Sequence, residues 1–137
     1  MEPASADATY LLTLLALSVF LLLFHIGLQG MLATRELGSA WNAGPRDGDK
    51  EAKGVLAGRS ARASGNFRET YPAFVGLLLA LAFAGDTSGL GLIGATVWLV
   101  ARIIYIPLYL AGIAYIRSLV WLISILGLLM MMFALFA

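Results

Sequence analysis

L-G-L-I-G-A-T-V-W-L-V-A-R-I-I-Y-I-P-L-Y-L, residues 90 to 110, is apolar almost throughout and carries a single charge, Arg102. Such a run is long enough to cross the roughly 30 Å hydrocarbon core of a bilayer, which takes about 20 helical residues. A helix apolar on every side belongs in lipid or in the middle of a large protein, and a chain of 137 residues is not large. Three further apolar runs accompany it, from about Ala8 to Ala33, Phe67 to Ala84 and Leu119 to Phe136. The predicted fold is therefore all-α: an integral membrane four-helix up-down bundle forming one domain over residues 1–137. Composition agrees, with 61% hydrophobic and only 12% charged residues and a mean hydropathy of +0.89, well outside the usual soluble range. A bundle this small has little interior in which to hide a polar pocket from lipid, so a homo-oligomer is expected.

Several function classes fall away on residue inventory. A net charge of +1 gives no basic face for nucleic acid. There are no cysteines and His25 is the one histidine, so thiolate nucleophiles, iron–sulfur clusters and a His- or Cys-based metal site are not expected. No G-x-x-x-x-G-K-[ST] stretch is present to cradle phosphate. The first run is not expected to be a signal peptide, because Glu2 and Asp7 stand where basic residues would be and no Lys or Arg precedes Arg35.

Charge placement predicts the direction of crossing. Arg35, Arg46, Lys50, Lys53, Arg59 and Arg62 lie in the long polar stretch from Thr34 to Gly65, and Arg68 follows directly. The positive-inside rule puts that loop in the cytoplasm and the termini outside. Its segment A-G-P-R-D-G-D-K, Ala43 to Lys50, is dense in breaker residues and reads as loop. The remaining links, Gly85 to Gly89 with Asp86 and Ala111 to Ser118 with Arg117, are short enough to force antiparallel neighbours.

The intramembrane polar residues fall on one side of the bilayer. Arg62, Asn66 and Glu69 are spaced i, i+4, i+7, and Arg102, Tyr105 and Tyr109 are spaced i, i+3, i+7, so each set occupies one helical face. Arg102 lies roughly 12 Å from the inner end of its helix at 1.5 Å rise per residue. A charge at that depth costs about 2.5 kcal/mol or more unless it faces the bundle interior and finds a partner. Glu69 is the acid within reach, either as a structural ion pair or as part of a site. Arg117, Ser118 and Trp121 open the fourth helix at the same face, as interfacial anchors or as a third wall. His25 and Gln29, one turn apart in the first helix, either line the same cavity or make interhelical hydrogen bonds. Pro72 and Pro107 interrupt the second and third runs, and each removes a backbone donor. Met130 to Met132 read as packing or lipid-facing surface.

The segment R-A-S-G-N-F-R-E-T-Y-P, Arg62 to Pro72, resembles the signature of the MAPEG family, membrane-associated proteins in eicosanoid and glutathione metabolism. Its core is R-x-x-x-N-x-x-E followed by Pro. Arg102-x-x-Tyr105-x-x-x-Tyr109 and the pair Arg117-Ser118 complete the ordered set, and span number and loop lengths extend the likeness over the whole chain. The resemblance implies a homotrimer of left-handed four-helix bundles with glutathione bound between subunits near the cytoplasmic face. It further implies that Arg62, Asn66, Glu69, Arg102, Tyr105 and Tyr109 contact glutathione. Arg117 would stabilise its thiolate and Ser118 would be an alternative thiol partner, with a hydrophobic small-molecule substrate entering from the lipid bilayer and no metal involved. Gly65, Tyr105 and Trp121 stand where some members have Arg, His and Tyr. The Gly44-Pro45-Arg46-Asp47 loop is similar to the bacterial branch, which implies a bacterial inner membrane.

Two activities follow from that resemblance. One is glutathione transfer to, or peroxide reduction of, a lipophilic electrophile; the other is non-catalytic lipid binding or scaffolding. A small multidrug-type carrier also has four short helices but depends on an acid deep in the first one. None occurs here between Asp7 and Glu36.

Overall fold

The computed structural model describes residues 5–48, 50–86 and 88–137. Glu2, Asp49 and Thr87, which belong to segments read above, lie outside them. The described residues form five helices: α1 (Ala6–Leu37), α2 (Ser39–Ala43), α3 (Val55–Ala84), α4 (Leu90–Leu110) and α5 (Tyr115–Ala134). Four of these, all but the short α2, are long and apolar enough to cross a membrane.

The helix ends are fixed by short-range chemistry. Ser5 Oγ accepts the amide of Ala8 and opens α1. Gly38, at φ +95°, takes the chain out of α1 in a conformation open to glycine. The Glu36 carboxylate then accepts the amides of Lys53 at 2.7 Å and Gly54 at 2.9 Å, which folds the connection back and supplies acceptors at the start of α3. Asp86 does the same for α4, taking Gly89 N at 3.1 Å on Oδ1 and Leu92 N at 2.8 Å on Oδ2.

The expected loop over residues 34–65 needs correction. Helix α3 begins at Val55 rather than near Phe67, so the connection between the first two crossings shrinks to residues 38–54 and itself contains α2. The extra turns, V-L-A-G-R-S-A-R-A-S-G-N, are too polar to register as a membrane run, yet alanine and arginine favour helix. Their Ala57, Ser60, Ala63 and Ser64 are buried. Helix α5 likewise starts at Tyr115, ahead of the apolar run from Leu119.

Helices α4 and α5 form the most extensive pair and α1 packs mainly on α3; α3 and α4 also meet, and each touches a helix of the other pair. The centre is an aromatic wedge. Phe67, Tyr71 and Phe74 lie one turn apart on α3 and face Trp98 of α4, with Phe74 stacked on the indole at 3.9 Å between centroids and an interplanar angle of 13°. Phe67, Phe74 and Trp98 are fully buried. Two cross-helix hydroxyl contacts hold α1: Tyr10 to Thr96 of α4 at 2.7 Å and Ser18 to Tyr71 of α3 at 2.9 Å. Of the three consecutive methionines only Met131 is in the core, while Met132 is exposed. Pro72 and Pro107 lie inside continuous helices. Phe20, Leu23, Phe83 and Phe133 point outward, as a lipid-facing surface requires.

Close approach of α4 and α5 depends on one glycine pair. A methyl group at Gly127 would stand 2.6 Å from the Gly94 carbonyl oxygen and 2.8 Å from Trp98 N; one at Gly94 would stand 2.6 Å from the Gly127 oxygen. All are backbone atoms and cannot turn aside. Gly127→Val is expected to destabilise the bundle by about 1–3 kcal/mol, measured by unfolding in detergent. Gly27→Ala, where an added methyl meets nothing within 4 Å, is expected to keep stability or raise it by up to about 1 kcal/mol, since alanine is the better helix former.

Candidate functional site

Three helix segments meet at the end of the bundle where α3 begins, α4 ends and α5 begins. The cavity between them has a volume of about 530 Å³ and is lined by Arg62, Gly65, Asn66 and Glu69 of α3, Tyr105 and Tyr109 of α4, and Arg117, Ser118 and Trp121 of α5. Seven of the eight site residues singled out in the sequence therefore share one wall system. Helical periodicity explains why. The α3 residues lie on the strip flanking the buried Phe67, so the packing of Phe67 against Trp98, 5.5 Å between ring centroids, turns Asn66 toward α4.

The eighth, Arg102, is not on the cavity wall. It is 0% exposed, and its Nη1 donates to Asn66 Oδ1 at 2.8 Å. Nε and Nη2 have no hydrogen-bond partner among the described residues. The anticipated Glu69–Arg102 pair is thus replaced by an Arg102–Asn66 contact behind the cavity. Glu69, on an exposed stretch of α3, keeps its carboxylate for the cavity mouth.

Four residues of α4 and α5 form a row in which two cations flank two rings. The Arg102 guanidinium carbon sits 4.3 Å from the Tyr105 ring centre, Tyr105 and Tyr109 are 5.5 Å apart, and the Arg117 carbon is 4.6 Å from the Tyr109 ring centre. Each cation meets the negative face of a ring. Two cations, Arg62 and Arg117, and one carboxylate, Glu69, thus border a cavity with two phenols and an indole.

The other polar candidate is elsewhere. His25 is buried against Phe67, ring centroids 4.8 Å apart, and its Nε2 has no hydrogen-bond partner among the described residues. Neither His25 nor Gln29 lines the cavity.

The family model of the MAPEG family matches residues 9–137. The chain belongs to the MAPEG family. No individual curated protein and no solved structure gives a match. As a MAPEG member with four membrane-spanning helices it is an integral, multi-pass membrane protein. The family includes glutathione-dependent transferases and peroxidases together with non-catalytic members.

One contributor to the site of this MAPEG chain was missed in the sequence. Arg59, read as a loop charge, lies on the early turns of α3, and its Nη1 donates to the Leu110 carbonyl at 3.0 Å. The guanidinium packs over Gly112, where a methyl group would stand 2.6 Å from Nη2 and φ is +74°. A cation at the C-terminal end of α4 is electrostatically favoured, and it pins the turn that leads into Arg117. The missed signal was spacing, since Arg59 is one turn before Arg62 on the same face. Arg59→Ala is expected to cost on the order of 1 kcal/mol and to speed amide hydrogen exchange selectively at Gly112–Ala114. Arg59→Lys should restore part of the protection.

Proposed function

We propose that this protein is a glutathione-dependent membrane enzyme, a transferase or peroxidase, acting on a lipophilic electrophile drawn from the bilayer. The observation that carries the reading is the charge pattern of the cavity: two arginines and one glutamate around a pocket large enough for a small peptide. Glutathione has two carboxylates, one ammonium and a thiol. Arg62 offers forked donors to a carboxylate, Glu69 suits the ammonium, and Asn66, Tyr105 and Tyr109 supply neutral hydrogen bonds. The volume of about 530 Å³ falls within the usual range for small-molecule sites.

Bound glutathione supplies a thiol nucleophile, whose ordinary pKa near about 8.5 leaves it mostly protonated at neutral pH. Arg117, backed by Tyr109, places a fixed positive charge where the thiolate would form, which favours the ionised nucleophile. Arginine stays protonated, so it stabilises the anion and does not remove the proton. Ser118, next in sequence and on the same wall, offers a hydroxyl hydrogen bond to the sulfur. The family resemblance supports assembly as a homotrimer that closes the cavity. It also supports a bacterial inner-membrane setting, with the 38–54 connection in the cytoplasm and the termini outside.

Titration of glutathione into detergent-solubilised protein should give binding with a thiolate absorbance band. Arg117→Ala is expected to abolish the band and lower kcat/KM by about 10²–10³-fold while most affinity survives. Unchanged turnover would remove Arg117 from the chemistry. Glu69→Gln should weaken glutathione binding by roughly tenfold, the loss expected for one charge-assisted contact. Absence of glutathione binding at millimolar concentration, with lipid copurifying, would instead identify a non-catalytic lipid-binding member.

A further inference from the structure

Arginine has five N–H donors and no acceptor. The atom of Asn66 that lies 2.8 Å from Arg102 Nη1 is consequently the amide oxygen, and the reversed orientation would set donor against donor. Asn66 also lines the cavity. With Oδ1 committed to the buried arginine behind the wall, the Nδ2 edge is the one left to face the cavity.

We propose that Arg102 is a positioning residue that locks the Asn66 amide with its NH2 edge toward the cavity, so that the site selects a ligand acceptor, a carboxylate or peptide carbonyl, at that point. A neutral partner such as a serine or a water molecule both donates and accepts, and would let the amide turn either way. A fully buried guanidinium does not. Its Nε and Nη2 have no other acceptor among the described residues, so withdrawing Oδ1 would leave a desolvated cation without any hydrogen bond to its charged end. Tyr105 adds to the lock, since its ring centre lies 4.3 Å from the guanidinium carbon and limits the room in which that group can move. One turn along α3, Glu69 presents only acceptors. The wall thus reads as donor at Asn66 and acceptor at Glu69, a polarity that orients a zwitterionic ligand along α3. The identity of that ligand as glutathione rests on the function proposed above; the orientation of the amide does not.

The test compares wild type with Asn66→Asp, Asn66→Leu and Arg102→Met in the intact detergent-solubilised protein, reading thermal unfolding and glutathione binding by calorimetry. Aspartate keeps an acceptor for Arg102 but turns an acceptor toward the cavity. Asn66→Asp is expected to unfold at or above the wild-type temperature and to bind glutathione at least tenfold more weakly, whereas Asn66→Leu unfolds at a lower temperature. Arg102→Met releases the amide and is expected to bind severalfold more weakly while remaining folded. A purely structural role for the pair would move stability and binding together in every variant, and Asn66→Asp separates them. Binding by Asn66→Asp within twofold of wild type, or unfolding as low as Asn66→Leu, overturns the proposal. If wild type does not bind glutathione, the proposed function falls, and the positioning role is read instead from the Asn66 side-chain NH2 resonances, which are expected to be sharp in wild type and averaged in Arg102→Met; unchanged resonances in that variant overturn it.

Discussion

A guanidinium removed from both water and lipid must find an acceptor and a surface that tolerates its charge, and the burial of Arg102 imposes that demand on the three helices around it. Asn66 supplies the acceptor from α3, Tyr105 supplies a ring face from the next turn of α4, and Phe67 closes the far side at 5.6 Å. Leaving such a charge unpartnered in a bilayer costs several kcal/mol. The relative rotation of α3 and α4 is held by this demand together with the Phe74–Trp98 stack. Both constraints act on the same faces, so Asn66 and Glu69 come to the cavity as a consequence of core packing.

The third wall depends on a different set of contacts. Helix α5 approaches α4 closely because Gly94 and Gly127 present bare backbone to each other, which is how membrane helices gain van der Waals contact in the absence of a hydrophobic drive between them. That approach and the short turn after Leu110, held by Arg59, bring Arg117 over Tyr109. The resulting Arg–Tyr–Tyr–Arg row runs from the bundle interior to the cavity. It links the buried cation that orients the wall to the bordering cation that faces a ligand.

The helices themselves were legible because hydropathy and length report directly on bilayer crossing. The four runs appear as four helices, with α4 at Leu90–Leu110. What misled was the polar beginning of α3. Arg59, Ser60, Arg62 and Ser64 carry no apolar periodicity, and the breakers just upstream made the stretch resemble loop, although Ala57 and Ala63 pack inside. Hydropathy registers lipid exposure, and the face of these turns that carries Ala57, Ser60, Ala63 and Ser64 is buried against protein instead. Asp86 was read only as the charge in a short link, whereas its carboxylate caps α4.

Sequence by itself determined the number of crossings, their antiparallel order, the family and the list of polar residues that gather at one end. Helical spacing is local, so i, i+4, i+7 relations placed Arg62, Asn66 and Glu69 on one face without coordinates. Which of the gathered residues faces a ligand and which supports it from behind was decided only by tertiary structure. Glu69 and Asn66 both lay within plausible reach of Arg102, and one-dimensional spacing cannot distinguish them. The choice depends on how far α3 is rotated about its axis, and that rotation is set by the packing of Phe67 and Phe74 against Trp98 across two helices.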